Sequence, residues 1–332
     1  MAVPRVVVVT GASAGVGRAT VRALAARGAD LGLIARGREG LEAAKKEVEA
    51  MGRRAVAISA DVARAGQIER AAERIEQELG PIDVWVNNAM ATVVSPIKEM
   101  TPEEFERVTQ VTYLGFVHGT LSALRRMLPR DRGVIVQVGS ALAYRSIPLQ
   151  AAYCAAKHAV VGFTESLRCE LLHDRSKVKV TMVHLPGLNT PQFDWAKTRL
   201  PRKLQPVPPI FQPEVAARAI VHAIEHPRRE LWVGMPTVKA IVGNRVIAGP
   251  LDHYLAWKAY RAQQTDGPVA EARPDNLWFP VHGDHGAHGA FDERSRNRSV
   301  QLWASMNRGA LTMLGLGVLT LLGGWLGLRR MA

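Results

Sequence analysis

A chain of 332 residues with 47% hydrophobic and 22% charged residues can bury a sizeable core, which excludes a largely disordered or fibrous protein. The net charge of +13 is unevenly spread, with residues 175–250 holding 12 Lys/Arg against 4 Asp/Glu. A basic excess suits nucleic acid, anionic lipid or a phosphorylated cofactor. With no zinc spacing and no RNA-binding signature, nucleic acid is not expected.

The start, "MAVPRVVVVT", runs directly into a β-type segment without an h-region or cleavage site, so no secretory signal is expected. Residues 5–10 read as a strand and lead into "TGASAGVG" (10–17). Glycines at 11, 15 and 17 permit a tight turn, close approach to a pyrophosphate and close packing of the following helix. The N-terminus of that helix offers free N–H groups and a partial positive charge to phosphates. A strand before and a helix after give the three-glycine pattern the context it needs.

Further strands are predicted at 31–36, 55–60, 83–88, 133–139, 178–184 and 230–234, with helical patterns such as "GLEAAKKEVEAMG" between them. Val and Ile occur on both faces of these strands, as in a parallel sheet covered on both sides. The expected fold is therefore α/β: a Rossmann-type doubly wound parallel sheet flanked by helices. The second strand ends in "LIAR", placing Arg36, with Arg38 close by, where an NAD-preferring chain carries an acid. Arg36 can pair with a 2′-phosphate, so NADP is favoured over NAD. "AAYCAAKHA" (151–159) sets Tyr153 and Lys157 one helical turn apart on one face. An ammonium beside a phenol favours the phenolate and draws its pKa, normally near 10, toward neutrality. Cys154 and Cys169 share that helix at roughly 22 Å, too far for a disulfide, which fits a reducing compartment.

The order and spacing of "TGASAGVG", "NNA" (87–89), Ser140, "YCAAK" (153–157) and "PGLNT" (186–190) resemble the short-chain dehydrogenase/reductase family over about residues 4–235. The resemblance implies that Gly11, Ser13, Gly15, Val16 and Gly17 line the pyrophosphate and that Asp61 and Val62 hold adenine. It puts Asn88 beside the ribose and closes Pro186, Gly187, Leu188 and Thr190 over the nicotinamide. Ser140, Tyr153 and Lys157 are implied as the catalytic triad, with Tyr153 and Lys157 also touching the cofactor. Two departures stand out: Met90 replaces a common glycine, and Thr112 replaces an asparagine thought to support a proton relay to the lysine. Homo-oligomers are common in the family.

Beyond the expected catalytic domain (1–250), residues 251–305 read as a polar linker containing Gly and Pro. His282, His285 and His288 fall in this stretch, but on a flexible linker no metal site is expected. The basic run "KTRLPRK" (197–203) lies where the family has its substrate lid, and reads as a solvated face or a contact for lipid headgroups. Residues 310–328, within a final segment of 306–330, carry no charge over 19 residues and read as a membrane-associated helix, the alternative being a buried or dimer-forming hydrophobic helix. The whole is then expected to be a membrane-tethered NADP(H)-dependent alcohol dehydrogenase or carbonyl reductase. Its partners would be a lipophilic carbonyl or alcohol substrate and membrane lipid, with the catalytic domain in the cytoplasm; the alternative is a cytoplasmic protein without the membrane. The rival reading is a non-catalytic nucleotide-binding redox sensor or scaffold.

Overall fold

The computed structural model describes residues 6–270, 273–309 and 312–313. Its centre is a parallel sheet of seven strands: β1 (Val6–Thr10), β2 (Asp30–Ala35), β3 (Ala55–Ser59), β4 (Val84–Asn87), β5 (Val134–Ser140), β6 (Lys179–Leu185) and β7 (Glu230–Trp232). They lie in the order β3-β2-β1-β4-β5-β6-β7. The seven predicted strands are all present, and the doubly wound α/β sheet is the observed fold. Strand order reverses between β1 and β4, which pair with Val7 opposite Val84. Such a switch point leaves a crevice at the C-terminal ends of the strands, where ligands bind in open α/β sheets.

The period of two along each strand divides the core into two layers. Val7 and Val9 of β1, Val84 and Val86 of β4 and Val134, Val136 and Val138 of β5 enter one cluster. Val6 and Val8, Trp85 and Ile135 enter the other. Helices α1 (Gly15–Ala25) and α2 (Arg38–Ala50) contribute Val21, Leu24, Leu41 and Val48 to the first layer. Helices α3 (Ala65–Leu79), α4 (Pro102–Thr109), α5 (Gly115–Met127) and α6 (Ala151–His173) contribute Ile68, Ile75, Val108, Ala123 and Leu167 to the second. Each fully buried Val, Ile or Leu contributes roughly 1.5–3 kcal/mol, so both faces of the sheet are held by burial. A polar network also crosses the second layer. The Asn87 amide donates to Thr120 Oγ1 (3.1 Å) and Gln137 Oε1 (3.0 Å), and accepts from the Trp85 indole (2.9 Å).

Residues after 250 differ from the expected linker. Helix Ala248–Ala262 leads to a strand, Gln264–Pro268, that pairs antiparallel with Arg202–Leu204. Residues 273–292 cross the C-terminal edge of the sheet, and Ser295–Arg296 pair in parallel with Ile210–Phe211. The reason is chemical: this polar stretch carries Leu277 and Phe291, both buried, and the Leu277 side chain joins the second core layer. In the basic run at 197–203, Arg202 and Lys203 are exposed, while Lys197 and Arg199 turn inward. Lys197 and Arg199 pair with Glu104 at 3.4 and 2.9 Å, and Arg202 pairs with Asp266 at 3.3 Å. The expected membrane helix over 310–328 lies outside the described residues apart from 312–313. Among the described residues no helix is long and apolar enough to cross a membrane.

Candidate active site

A cavity of about 200 Å³ opens at the switch point. Its inner wall contains Gly11, Ser13, Gly15, Val16, Arg36, Asp61, Val62, Asn88, Met90 and Thr190. The glycines are dictated by geometry. Gly11 adopts φ +67°, and a Cβ there would lie 2.9 Å from the Ala89 Cα. Gly17 sits under the loop, where a Cβ would meet the Gly11 carbonyl oxygen at 2.0 Å. The turn can therefore bring backbone close to a phosphate only with glycine at both positions. Asn88 braces this turn, donating from Nδ2 to the Thr10 carbonyl at 3.0 Å.

Charge at the cavity is one-sided. Asp61 is held by Arg107, Nη2 to Oδ2 at 2.6 Å, and its other oxygen accepts from the Ala63 amide at 3.0 Å. Arg36 donates to the carbonyls of Asn276, Leu277 (3.2 Å) and Trp278 (3.0 Å), and among the described residues it has no carboxylate partner. Burial, with the charge of Arg107 beside it, lowers the Arg36 pKa, but a guanidinium keeps its charge at any ordinary pH. A partly buried cation facing a cavity with only neutral carbonyls on it suits an incoming anion. The glycine cradle and this cation fit the phosphates of a dinucleotide coenzyme.

The remaining expected residues lie outside that wall. Ser140 ends β5, its hydroxyl accepting from the Leu142 amide at 3.1 Å, and Tyr153 stands on α6, near enough for the Ser140 hydroxyl to favour the phenolate. Lys157, 2% exposed, donates from Nζ to the Val138 carbonyl at 2.7 Å and lies 4.4 Å from the Phe116 ring centre and 5.7 Å from that of Tyr153. Burial pushes the Lys157 ammonium down to about 7. The Tyr153 phenol moves the other way: burial raises its pKa and the Ser140 hydroxyl opposes only part of that rise. The expected draw of the phenol toward neutrality is therefore not met, because burial outweighs a lysine whose Nζ is turned to a carbonyl. Gly187 and Leu188, following Pro186 at the end of β6, are packed by the loop that follows residue 204. A Cβ on Gly187 would lie 2.6 Å from the Val207 carbonyl oxygen, and Leu188 bridges to Phe211.

Thr112 lies in a π-helical turn, Gln110–Leu114, a feature often found near functional sites. Its hydroxyl donates to the Ala91 carbonyl (2.8 Å) and accepts from the Ala91 amide (2.9 Å). The hydrogen a relay would need is thus spent on fixing the chain beyond Met90. The three histidines go elsewhere: His288 lies between Glu214 (2.8 Å) and Asp292 (2.9 Å), and His285 contacts the His282 carbonyl (2.9 Å). Among the described residues no group of side chains has the make-up of a metal site.

Sequence reasoning missed two sets of residues. His184, fully buried on β6, places Nδ1 3.2 Å from the Ser140 carbonyl, and its ring fills the space a side chain on Gly139 would need. Asn276, Pro280, Val281, Gly283 and His285 form the outer wall of the cavity. The signal for the second set was present: Leu277, Trp278, Phe279 and Val281 in succession are unlike a solvated linker, which is poor in apolar residues.

A family model described as short chain dehydrogenase matches residues 5–199. The chain is 32% identical over 285 residues to the uncharacterized oxidoreductase YxnA of Bacillus subtilis, covering 85% of this chain and 80% of that protein. It is 31% identical over 228 residues to a fatty acyl-CoA reductase of Acinetobacter baylyi, covering 68% and 75%. Among solved structures, a 3-ketoacyl-ACP reductase from Sinorhizobium meliloti 1021 superposes with a TM-score of 0.61 at 27% identity. That match covers 69% of this chain and 96% of the reductase.

Proposed function

From the premise that the chain belongs to the short-chain dehydrogenase family, and is an NAD(P)-dependent oxidoreductase, we propose that it reduces a lipophilic carbonyl with NADPH through Ser140, Tyr153 and Lys157. The observation that carries this reading is the placement of Tyr153 on α6, one turn from Lys157, whose buried Nζ lies 5.7 Å from the phenol ring, with Ser140 at the end of β5. A protonated phenol is a general acid, the role needed at a carbonyl oxygen as it gains negative charge. The coenzyme, when bound, supplies hydride to the carbonyl carbon. Ser140 orients the carbonyl oxygen, and Tyr153 gives it the proton. Lys157 stabilises the resulting phenolate electrostatically, at closer range once its Nζ leaves the Val138 carbonyl.

For the coenzyme, Arg36 and Arg38 just after β2, with the Arg36 guanidinium bonded to the carbonyls of 276–278 and in no salt bridge among the described residues, support NADP over NAD. For the substrate, the fatty acyl-CoA reductase and 3-ketoacyl-ACP reductase among the relatives support a carbonyl on an acyl-type chain. The deciding experiment measures NADPH consumption with long-chain ketones and aldehydes for the wild type and Tyr153→Phe. Turnover should fall at least a hundredfold while NADPH affinity stays within about twofold, since general acid catalysis contributes roughly 10²–10⁴. A Tyr153→Phe protein that retains turnover overturns the assignment.

A further inference from the structure

Residues 273–292 form a strap tied to each part of the nucleotide cleft. The Gly15 amide of the glycine loop donates to the Gly286 carbonyl at 3.0 Å. Arg18, behind the same loop, reaches Asp284 at 3.1 Å. At the end of β2, Arg36 is capped by the carbonyls of 276–278, and Glu39 accepts from the Gly283 amide. At the end of β3, Arg107 joins Asp61 to the Leu277 carbonyl, with Nε to oxygen at 3.0 Å. At the turn after β6, Asn189 accepts from the Phe291 amide at 3.0 Å and donates to Asp292 at 2.9 Å. A segment with no role at the cleft would have no reason to touch four separate strand ends there.

The strap walls the cleft and does not fill it. Leu277, 0% exposed, is sunk in the core layer that also holds Val62 and Val111, below the cavity. Trp278 and Phe279 point to solvent at 44% and 78% exposure. Between these anchors Pro280, Val281 and His285 face the glycine loop across the cavity of about 200 Å³. A self-inhibiting plug would put its large side chains into that space. Here the large side chains go beneath it or away from it.

We propose that Asn276, Pro280, Val281, Gly283 and His285 are coenzyme-binding residues, forming an outer wall that encloses the adenosine and pyrophosphate end of the dinucleotide. The proposal rests on reading the cavity as the coenzyme site. All of these residues lie outside the stretch matched by the family model, 5–199. The carbonyl cap on Arg36 has a part in this. It holds the guanidinium at the cavity without neutralising it, so the strap also positions the group that selects for a 2′-phosphate. Coenzyme and strap then stabilise each other, and the coenzyme leaves only when the strap lifts.

The test uses the full chain with NADPH and NADH as probes. Hydrogen exchange of the amides at 275–289 is followed with and without coenzyme, and dissociation is timed by stopped-flow displacement. A wall predicts slower exchange across 275–289 on binding. Val281→Asp, which sets a carboxylate against an anionic ligand, should weaken binding at least tenfold and speed dissociation. Phe279→Ser, on the solvent side, should bind as the wild type does. Faster strap exchange on binding would mean a plug, and it overturns the proposal, as would unchanged affinity in Val281→Asp. If the wild type binds neither coenzyme, the coenzyme reading itself falls. Binding without any strap response sinks the wall alone. The exchange measurement on wild-type protein stands independently of whether the variants fold.

Discussion

Lys157 should make the protein less stable, and replacing it with methionine of similar length should strengthen the fold while ending catalysis. The side chain is 2% exposed and has no carboxylate partner among the described residues, and burial takes its pKa from 10.5 to about 7. At about 1.4 kcal/mol per pH unit, that drop is a penalty of at most roughly 5 kcal/mol for keeping the charge inside. Methionine forfeits the Nζ–Val138 hydrogen bond, about 1 kcal/mol, and the contact with the Phe116 ring, about 2 kcal/mol when desolvated. A net gain of about 2 kcal/mol remains. The pH dependence follows from proton binding. Below pH 7 folded and unfolded chains both carry the proton, and the folded chain bears the whole penalty. Between about 7 and 10.5 only the unfolded chain keeps it, so wild-type stability rises with pH and the advantage of Lys157→Met shrinks. Urea unfolding of the two proteins at pH 6.5 and pH 9.5 measures both effects. Equal or lower stability of Lys157→Met at pH 6.5 would refute the account of a buried, unpaired ammonium.

Arg36→Ala should lower the kcat/KM ratio of NADPH to NADH at least tenfold, read from parallel consumption assays with one carbonyl substrate. An unchanged ratio would remove Arg36 from coenzyme selection. Gly119→Ala should cost about 1–3 kcal/mol, where an exposed helical glycine would gain up to about 1 kcal/mol from the same change. The reason is that a Cβ at Gly119 would lie 2.1 Å from Asn87 Oδ1, inside the polar network under β4, and thermal unfolding reads the difference.

The sheet was legible because its signal is local. Val-rich runs of five to seven residues, each followed by a helical pattern, leave little freedom in how a doubly wound fold is assembled. The glycine loop and the Tyr153–Lys157 spacing were legible for the same reason, since each motif lies within one turn or one helix. What escaped depends on contacts between distant parts of the chain. The phenol pKa could not be read from helical spacing, because burial acts through everything packed around Tyr153. Thr112 looked like a weakened relay group, and only the position of Ala91 reveals that its hydroxyl is a backbone clamp. The difference at 251–305 had another source. Glycine, proline and charge suggested a linker, but single apolar residues such as Leu277 anchor a segment without giving it any period.

The tie between Gly15 and Gly286 spans 271 residues of chain and closes the cleft on itself. During synthesis the sheet and the glycine loop can assemble while the strap is still being made. Coenzyme affinity should therefore mature late, near the moment when residues 295–296 pair with 210–211. A nascent chain released early would carry a Rossmann sheet with an open, weakly holding cleft. In this protein the capacity to keep its coenzyme would serve as a readout of whether translation has passed residue 296.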